Sequence, residues 1–146
     1  MGGERRARSN RREPRRPALE KHPINPWSWQ EKFGFSHAWK VRDGRAVIFL
    51  AGQGPVLPDG EVLEADFEGQ ARLTFENLRT VLREAGTDFG SVVKLTAYFT
   101  DIKNLRTYAK VRNEFITTEP PASTALEVSA LALPGMTIEV EAIAVV

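Results

Sequence analysis

The sequence predicts one domain of the α+β class, with the element order ββαβαββ. Two segments have the 3.6-residue apolar period of amphipathic helices, and five shorter segments are strand-like, with apolar, β-branched or aromatic residues. The chain has 146 residues, of which 42% are hydrophobic, and this suffices for one core but not for two. This order offers two helices for one face of a sheet, as is typical of the α+β class.

The first two strands are predicted at residues 36–41 and 46–51. Asp43-Gly44 between them indicates a hairpin turn, because both residues tolerate positive φ. The second strand is an unbroken apolar run, so we expect both of its faces to be buried. Upstream, the prolines of residues 22–30 exclude a regular helix or a central strand, and the two tryptophans there indicate a segment laid flat over the domain.

The clearest helix is predicted from about residue 66 to residue 85, where Gly86 suits the position after a helix end. A strand at 92–100 and a second helix at 104–116 follow. The inner face of the second helix is predicted to carry Leu105, Tyr108, Val111, Phe115 and Ile116. The last two strands are predicted at 122–131 and 137–145, separated by a turn at Pro134-Gly135.

The composition excludes several classes of site. The sequence has no cysteine and only two histidines, so disulfides, thiolate metal sites and a cysteine nucleophile are excluded. No metal or cofactor site is predicted. The sequence also has no apolar run of the roughly 18–20 residues that a membrane span needs, and no signal-peptide core at its start. We therefore expect a soluble, cytoplasmic protein without membrane partners.

The N-terminal residues form a basic segment. Residues 1–22 carry eight lysines and arginines against three glutamates, a charge of +5, whereas the whole chain has +1. Such a segment is typical either of a nucleic-acid or anionic-surface contact, or of a solvated leader. Because it has few apolar groups to bury, we favour the leader. The sequence thus predicts a disordered arm at 1–22 and a single domain at 23–146.

Two carboxylates interrupt the apolar last strand. Glu139 and Glu141 share one face of it with Ile143 and Val145, because residues two apart on a strand point the same way. A carboxylate in such a setting is either a general acid/base or ligand anchor, or part of an intersubunit salt bridge or a solvated edge. For Glu139 both interpretations stand, and for Glu141 we favour the second.

Several stretches resemble one known family. Residues 121–128 (Pro-Ala-Ser-Thr-Ala-Leu-Glu-Val) and 138–145 (Ile-Glu-Val-Glu-Ala-Ile-Ala-Val) resemble the C-terminal signature of the RidA/YjgF family, also called endoribonuclease L-PSP-like. Residues 51–56 look like its Ser-Gly-Gln block, and 35–38 look like its Tyr-Ser-Gln-Ala block. The resemblance covers residues 34–146, including the first helix.

The resemblance implies a chorismate-mutase-like homotrimer with both helices on one face and a small-molecule cleft between each pair of subunits. The apolar residues Val128, Ala130, Ile138, Val140, Ala142 and Ala144 favour a trimer too, because they offer more area than two helices are expected to cover. The family's deaminases are similar in holding the carboxylate of a 2-imino acid with a strand arginine, whose planar guanidinium binds it bidentately.

The sequence departs from the family pattern in that cleft. Ser123 stands at the position of the arginine. Tyrosine, serine, asparagine and cysteine of the family correspond to Phe35, Ala51, Ala109 and Ala125. Glu139, which in the family helps to position the hydrolytic water, is present. The predicted cleft residues are Phe35, Trp39, Ala51, Gly52, Gln53, Ala109, Ser123, Thr124 and Ala125, with Glu139 as the candidate catalytic group.

Three functions are compatible with these observations. The first, which we favour, is a trimeric binding module for a small ligand that is less anionic and more apolar than a 2-imino acid. The second is a deaminase or hydrolase that acts on an enamine or imine, with Glu139 handling a water molecule. The third is an RNA-associated protein that uses the arginine-rich arm. A ribonuclease normally needs acid/base groups, and His37, the only histidine of the domain, is interpreted as a packed strand residue.

Overall fold

The computed structural model describes residues 15–146, so residues 1–14 of the predicted arm lie outside the described residues. The elements are β1 (Glu20–Ile24), β2 (Ala38–Arg42), β3 (Val47–Gln53), α1 (Phe67–Glu84), β4 (Val92–Phe99), α2 (Leu105–Phe115), β5 (Ala122–Glu127) and β6 (Ile138–Val145). The main sheet has four strands in the order β3-β6-β4-β5, with β4 and β5 parallel and the other neighbours antiparallel. Two helices pack on this sheet, which confirms the α+β class.

The core lies between the helices and one face of the sheet. Phe75, Leu78 and Leu82 of α1 and Tyr108 and Val111 of α2 are buried there. Each large apolar side chain that is fully buried contributes about 1.5–3 kcal/mol relative to exposure.

The helices cover four of the six residues from which we inferred surplus apolar area, whereas Ala130 is exposed and Val128 is half-buried. Ile138, Val140, Ala142 and Ala144 are each at most 3% exposed within the single chain. For the four residues of β6, that argument for a trimer was therefore wrong. The sheet face opposite the helices, which carries Glu139 and Glu141 of β6, is called the open face below.

Both ends of α1 form where the sequence predicts them. The side chain of Asp66 caps the start by accepting from the backbone N–H of Gly69 at 2.8 Å. At the end, Gly86 adopts φ +78°, its N–H donates to Arg83, and the N–H of Thr87 donates to Leu82. This pair of bonds satisfies carbonyls that the helix itself leaves free.

The N-terminal strands differ from the prediction. Asp43 does turn the chain with φ +57°, but β2 and β3 do not pair with each other. Instead, β2 pairs with β1 in a separate two-stranded sheet, and β3 pairs with β6. The predicted boundary at 22/23 falls inside β1. Pro23 is tolerated because β1 has only one neighbouring strand.

Three local expectations were also wrong. One face of β3 is uncovered, with Val47 54% and Phe49 76% exposed, because the helices reach only the face of Leu50. Leu105, the first residue of α2, is 40% exposed rather than on the inner face. Strand β5 ends at Glu127, four residues before its predicted end.

Candidate functional site

A bulge in β3 brings Glu139 over Gly52. Leu50 pairs with Ala142 and Gln53 pairs with Val140, so two residues of β3 stand opposite one residue of β6. A Cβ built on Gly52 would lie 2.0 Å from Oε1 of Glu139, so any larger residue there would require the Glu139 side chain to move. Ala51, Gly52, Gln53 and Glu139, called the β3–β6 group, are therefore adjacent.

The two carboxylates of β6 differ in their partners. Glu141 accepts a hydrogen bond from the Tyr98 hydroxyl at 2.8 Å, which supports its structural interpretation. This bond is the main cause that raises the pKa of Tyr98, with burial and the charges of Glu141 and Glu139 adding to it. Within residues 15–146, no hydrogen bond reaches the Glu139 carboxylate, which leaves it available to a ligand or a water molecule.

The predicted cleft residues of β5 divide between the two faces of the sheet. Ser123 and Ala125 pair with Leu95 and Ala97, which are fully buried on the helix face. Thr124 lies on the open face and accepts from Nζ of Lys94 at 2.7 Å.

Ser123 lies beside a buried tyrosine. The hydroxyl of Tyr108 is near Ser123 and Arg112, yet it makes no hydrogen bond of normal geometry. Burial raises the pKa of Tyr108, and Arg112 and Ser123 offset part of the rise. Ala109 follows Tyr108 in α2, which places it at the same side of the domain. Phe35 precedes Ser36, which forms a bridge with Ala122 at the start of β5.

Arg112 is a buried charge that the sequence interpretation missed. It is 5% exposed, and its Nη2 donates to the backbone oxygen of Phe33 at 2.9 Å and to Oδ1 of Asn113 at 3.1 Å. No carboxylate of residues 15–146 pairs with it. The spacing of four residues from Tyr108 on the inner face of α2 was the signal that could have identified it.

The structure therefore brings the predicted cleft residues together in two places rather than one. The β3–β6 group lies at one side of the sheet, and Phe35, Ala109, Ser123 and Ala125, called the β5–α2 group, lie at the other. Strand β4 separates β6 from β5, which puts about 10 Å between those strands. Ser123 also faces the helices, whereas Glu139 is on the open face. Within a single chain, the β3–β6 group and the β5–α2 group therefore do not line one common cleft.

Trp39 and His37 flank this second group. Nε1 of Trp39 donates to the backbone oxygen of Pro120 at 2.9 Å, so its indole is fixed next to the start of β5. His37 is packed, as expected, but it precedes β2 rather than belonging to it. Its ring makes edge contacts with Trp27, Trp29 and Phe35 at centroid distances of 5.1, 4.8 and 5.5 Å.

Between residues 15 and 146 there is no cluster of three or more histidine, aspartate or glutamate side chains placed to hold a metal ion. Over the same part of the chain, no helix has the length and apolar character to cross a membrane.

Comparisons with known proteins agree on one family. A family model described as Endoribonuclease L-PSP matches residues 30–146. A RutC family protein of Pyrococcus abyssi is 36% identical over 123 residues, which cover 84% of this chain and 87% of the relative. Protein HMF1 of Saccharomyces cerevisiae is 34% identical over 110 residues, or 75% of this chain and 82% of that protein.

Solved structures show the same similarity. A Rid-family protein of unknown function from Yersinia pestis has a TM-score of 0.79 at 32% identity, covering 86% of this chain and 98% of its own. A crystal structure of Escherichia coli TdcF with bound serine has a TM-score of 0.63 at 33% identity, covering 69% and 81%. TdcF is provisionally named a reactive intermediate deaminase.

Proposed function

Because the chain belongs to the endoribonuclease L-PSP family, which includes the RidA, YjgF and RutC proteins, we propose that it is a homotrimeric binding protein. Its clefts lie between subunits and hold a small metabolite. The observation that carries this proposal is the separation of the β3–β6 group from the β5–α2 group. Each group is half of a cleft, and a second chain supplies the other half. The serine in the TdcF crystal supports a ligand of metabolite size.

The open face supports contact between copies of the chain. Phe49 and Val47 are exposed on β3, and Phe49 pairs with Ile143 of β6 in a continuous apolar strip. Apolar patches of this kind on soluble proteins mark interaction sites. Burying the strip in a trimer brings β3 and β6, and with them Glu139, close to the neighbouring subunit.

We further propose that the cleft does not hydrolyse 2-imino acids, because it has no cation in the position of the family's arginine. Ser123 has no charge, Arg112 is buried and donates to Phe33, and Lys94 lies on the opposite face with Thr124. Losing one partner of a buried charge pair costs about 2–5 kcal/mol, or about 30-fold to several-thousand-fold in affinity. The ligand of the cleft is therefore less anionic than a 2-imino acid.

A coupled assay tests the missing activity. An amino-acid oxidase generates 2-iminopropanoate, and formation of the keto acid is timed with and without the protein. We expect no acceleration, whereas a relative that has the strand arginine, assayed in parallel, accelerates the reaction. Comparable acceleration by the wild-type protein would refute this part of the proposal. The Ser123→Arg variant then shows whether the rest of the cleft can still support the reaction.

Native mass spectrometry tests the binding function. The purified protein is equilibrated with a mixture of small metabolites, desalted and measured as an intact assembly. We expect up to three ligands on each trimer, and none on a monomeric Phe49→Asp variant. If no small molecule is retained, or if the monomer retains it equally, the intersubunit cleft is not a binding site.

A second candidate function is an enamine or imine hydrolase, favoured by the free carboxylate of Glu139 above Gly52. In that case Glu139→Gln abolishes hydrolysis of an uncharged enamine, because the amide cannot accept a proton from water. The matched control is Glu141→Gln, since Glu141 already bonds to Tyr98. An equal effect of both substitutions would speak against a catalytic role of Glu139.

A further inference from the structure

The connection between β1 and β2 is an ordered loop rich in aromatic residues, called the aromatic loop (residues 25–37). Pairing of Ile24 with Ala38 closes its base, and the backbone N–H of His37 donates to Oδ1 of Asn25 at 2.9 Å. Inside it, Trp29 makes edge contacts with Phe33 and Phe35 as well as His37. The loop therefore has a small aromatic core of its own.

Two contacts fix this loop against the rest of the domain. Arg112 donates to the backbone oxygen of Phe33, and Gly34 makes the approach possible, since a Cβ there would lie 2.7 Å from Nη2 of Arg112. The hydroxyl of Ser36 donates to the backbone oxygen of Pro120 at 2.6 Å. The bond from Arg112 is charge-assisted and contributes more than a neutral one such as that from Ser36, and together they give the loop a defined position.

A groove lies between the aromatic loop and residues 119–120, with a volume of about 880 Å³. Its lining includes Trp27 and Trp29, which remain 61% and 51% exposed. Glu31 and Glu119 also line it, whereas no lysine or arginine of the described part of the chain does. Neither glutamate forms an ion pair with any residue that the structure describes. The groove is thus aromatic and acidic.

Two buried polar atoms in this region have no hydrogen-bond partner among residues 15–146. Gln30 lines the groove and is 3% exposed, and its Oε1 makes no hydrogen bond. Nε2 of His37, whose ring makes edge contacts with Trp27 and Trp29, is also buried without a partner in the same part of the chain. Buried polar atoms without partners are rare in folded proteins, and a bound ligand is one way of satisfying them. Gln30 Oε1 accepts only, so it calls for an N–H or O–H donor.

We propose that this groove binds a small organic cation of the alkylguanidinium class. A planar guanidinium stacks on an indole ring, is attracted by its electron-rich face, and carries five N–H donors. Trp27 and Trp29 supply the rings, Glu31 and Glu119 the opposite charge, and Gln30 an acceptor. The absence of basic side chains from the lining disfavours phosphate groups, and with them RNA.

This groove is distinct from the proposed cleft, because Phe35 is the one predicted cleft residue in its lining. The loop already contains a contact of the same chemistry. Nζ of Lys32 lies 5.1 Å from the ring centroid of Phe33. No cation of residues 15–146 lies over the ring of Trp27 or Trp29, so both indoles remain available to a ligand.

The test compares benzylguanidinium with benzylurea, which is similar in shape but uncharged, by isothermal titration on the full-length protein. We expect benzylguanidinium to bind at least about tenfold more tightly, from the contributions of cation–π contact and charge. Trp27→Leu, Glu31→Gln and Glu119→Gln should each weaken binding of benzylguanidinium several-fold. Glu84→Gln, an exposed glutamate at the end of α1 and outside the groove, is the matched control and should bind like wild type.

The glutamine variants keep the shape of the side chain, and their melting temperatures establish that they fold. Equal affinities for the two probes, no binding at millimolar probe, or unchanged affinity in both Glu31→Gln and Glu119→Gln would overturn the proposal. Arg112→Lys adds a readout of position, because lysine cannot make the same planar contacts with Phe33 and Asn113. We expect this variant to bind the probe more weakly while retaining its trimeric mass.

Discussion

The side chain of Glu139 on β6 packs over Gly52 on β3, in the space that a side chain at position 52 would fill. A Cβ on residue 52 would lie 2.0 Å from Oε1, 2.8 Å from Cδ and 2.9 Å from Cγ of Glu139. The Glu139 side chain from Cγ to Oε1, and not only its terminal oxygen, thus packs against the backbone of the bulge. The position of the candidate catalytic group is therefore set by a residue that has no side chain.

Gly52→Ala should destabilise the protein by about 1–3 kcal/mol, the usual cost of extra atoms in a packed site, and should displace Glu139. Urea unfolding measures the decrease in the free energy of unfolding. The same substitution in a Glu139→Ala background should cost clearly less, since the clashing atoms are gone. Equal costs in both backgrounds would show that Glu139 is not what excludes a side chain at 52.

Phe49→Asp should convert the trimer into a monomer, because it places a charge in the apolar strip of the open face. Sedimentation equilibrium at micromolar concentration should give about three times the chain mass of 16.3 kDa for the wild type and one times that mass for the variant. Leu133→Asp, at an apolar residue that is 41% exposed outside the open face, is the control and should remain trimeric. A wild-type monomer would contradict the proposed assembly directly.

Arg72→Gln should make stability less dependent on acidic pH. Hydrogen bonds from Arg72 lower the pKa of Glu68 and of Glu114 from the ordinary value of 4.5, which ties α1 to α2. A carboxyl whose folded pKa is lowered stabilises the fold above 4.5, and this contribution is lost as the pH falls through the lowered value.

Urea unfolding at about pH 7 and about pH 3 checks this expectation. The difference in unfolding free energy between wild type and Arg72→Gln should be present at the higher pH and should shrink at the lower one. Because Glu114 is exposed and Glu68 is only half-buried, the difference should also shrink in high salt. Arg83→Gln, at the end of the same helix, should show neither trend.

Deleting residues 1–18 should leave the melting temperature within about 2 °C, because β1 begins at Glu20 and the removed segment has few apolar groups to bury. Deleting residues 1–24 removes β1 and should lower the melting temperature by more than about 5 °C, since β2 then loses the one strand that pairs with it within residues 15–146. Calorimetry distinguishes the two deletions, and equal melting temperatures would show that β1 contributes nothing to stability.

Retention on heparin, with and without residues 1–18, measures any contact of the basic segment with polyanions.

The parts of the fold that follow from local physics were predictable. α1 has a clear apolar period, a capping aspartate and a glycine after its end, so its bounds were predicted almost to the residue. The burial of β3 was not predictable in the same way, because exposure of Phe49 depends on which sheet face the helices cover. Strand β1 was missed because a proline such as Pro23 is rare in strands. The pairing of β1 also depends on β2, from which 13 residues separate it.

The candidate site shows a similar division. The Gly-Gln block and the late strands identified Gly52 and Glu139 separately, but their contact depends on the bulge, which has no local signal in the sequence. Arg112 was overlooked because arginine is usually a surface residue, although helical spacing placed it on the inner face of α2. The acidic aromatic groove depends on tertiary contacts between the loop and residues 119–120, which no pattern within the loop encodes.

The separation of the β1–β2 hairpin from the main sheet has a consequence for the way this protein can be altered. Strands β1 and β2 pair with each other and not with the four strands of the main sheet, so we expect changes in the aromatic loop that keep Ser36, which bridges to Ala122, to leave the register of those four strands unchanged. The aromatic loop can therefore be replaced while the main sheet is kept unchanged. Grafting loops of other sequences between Ile24 and Ala38, while keeping Gly34 for its contact with Arg112, offers a way to select new recognition properties in one scaffold.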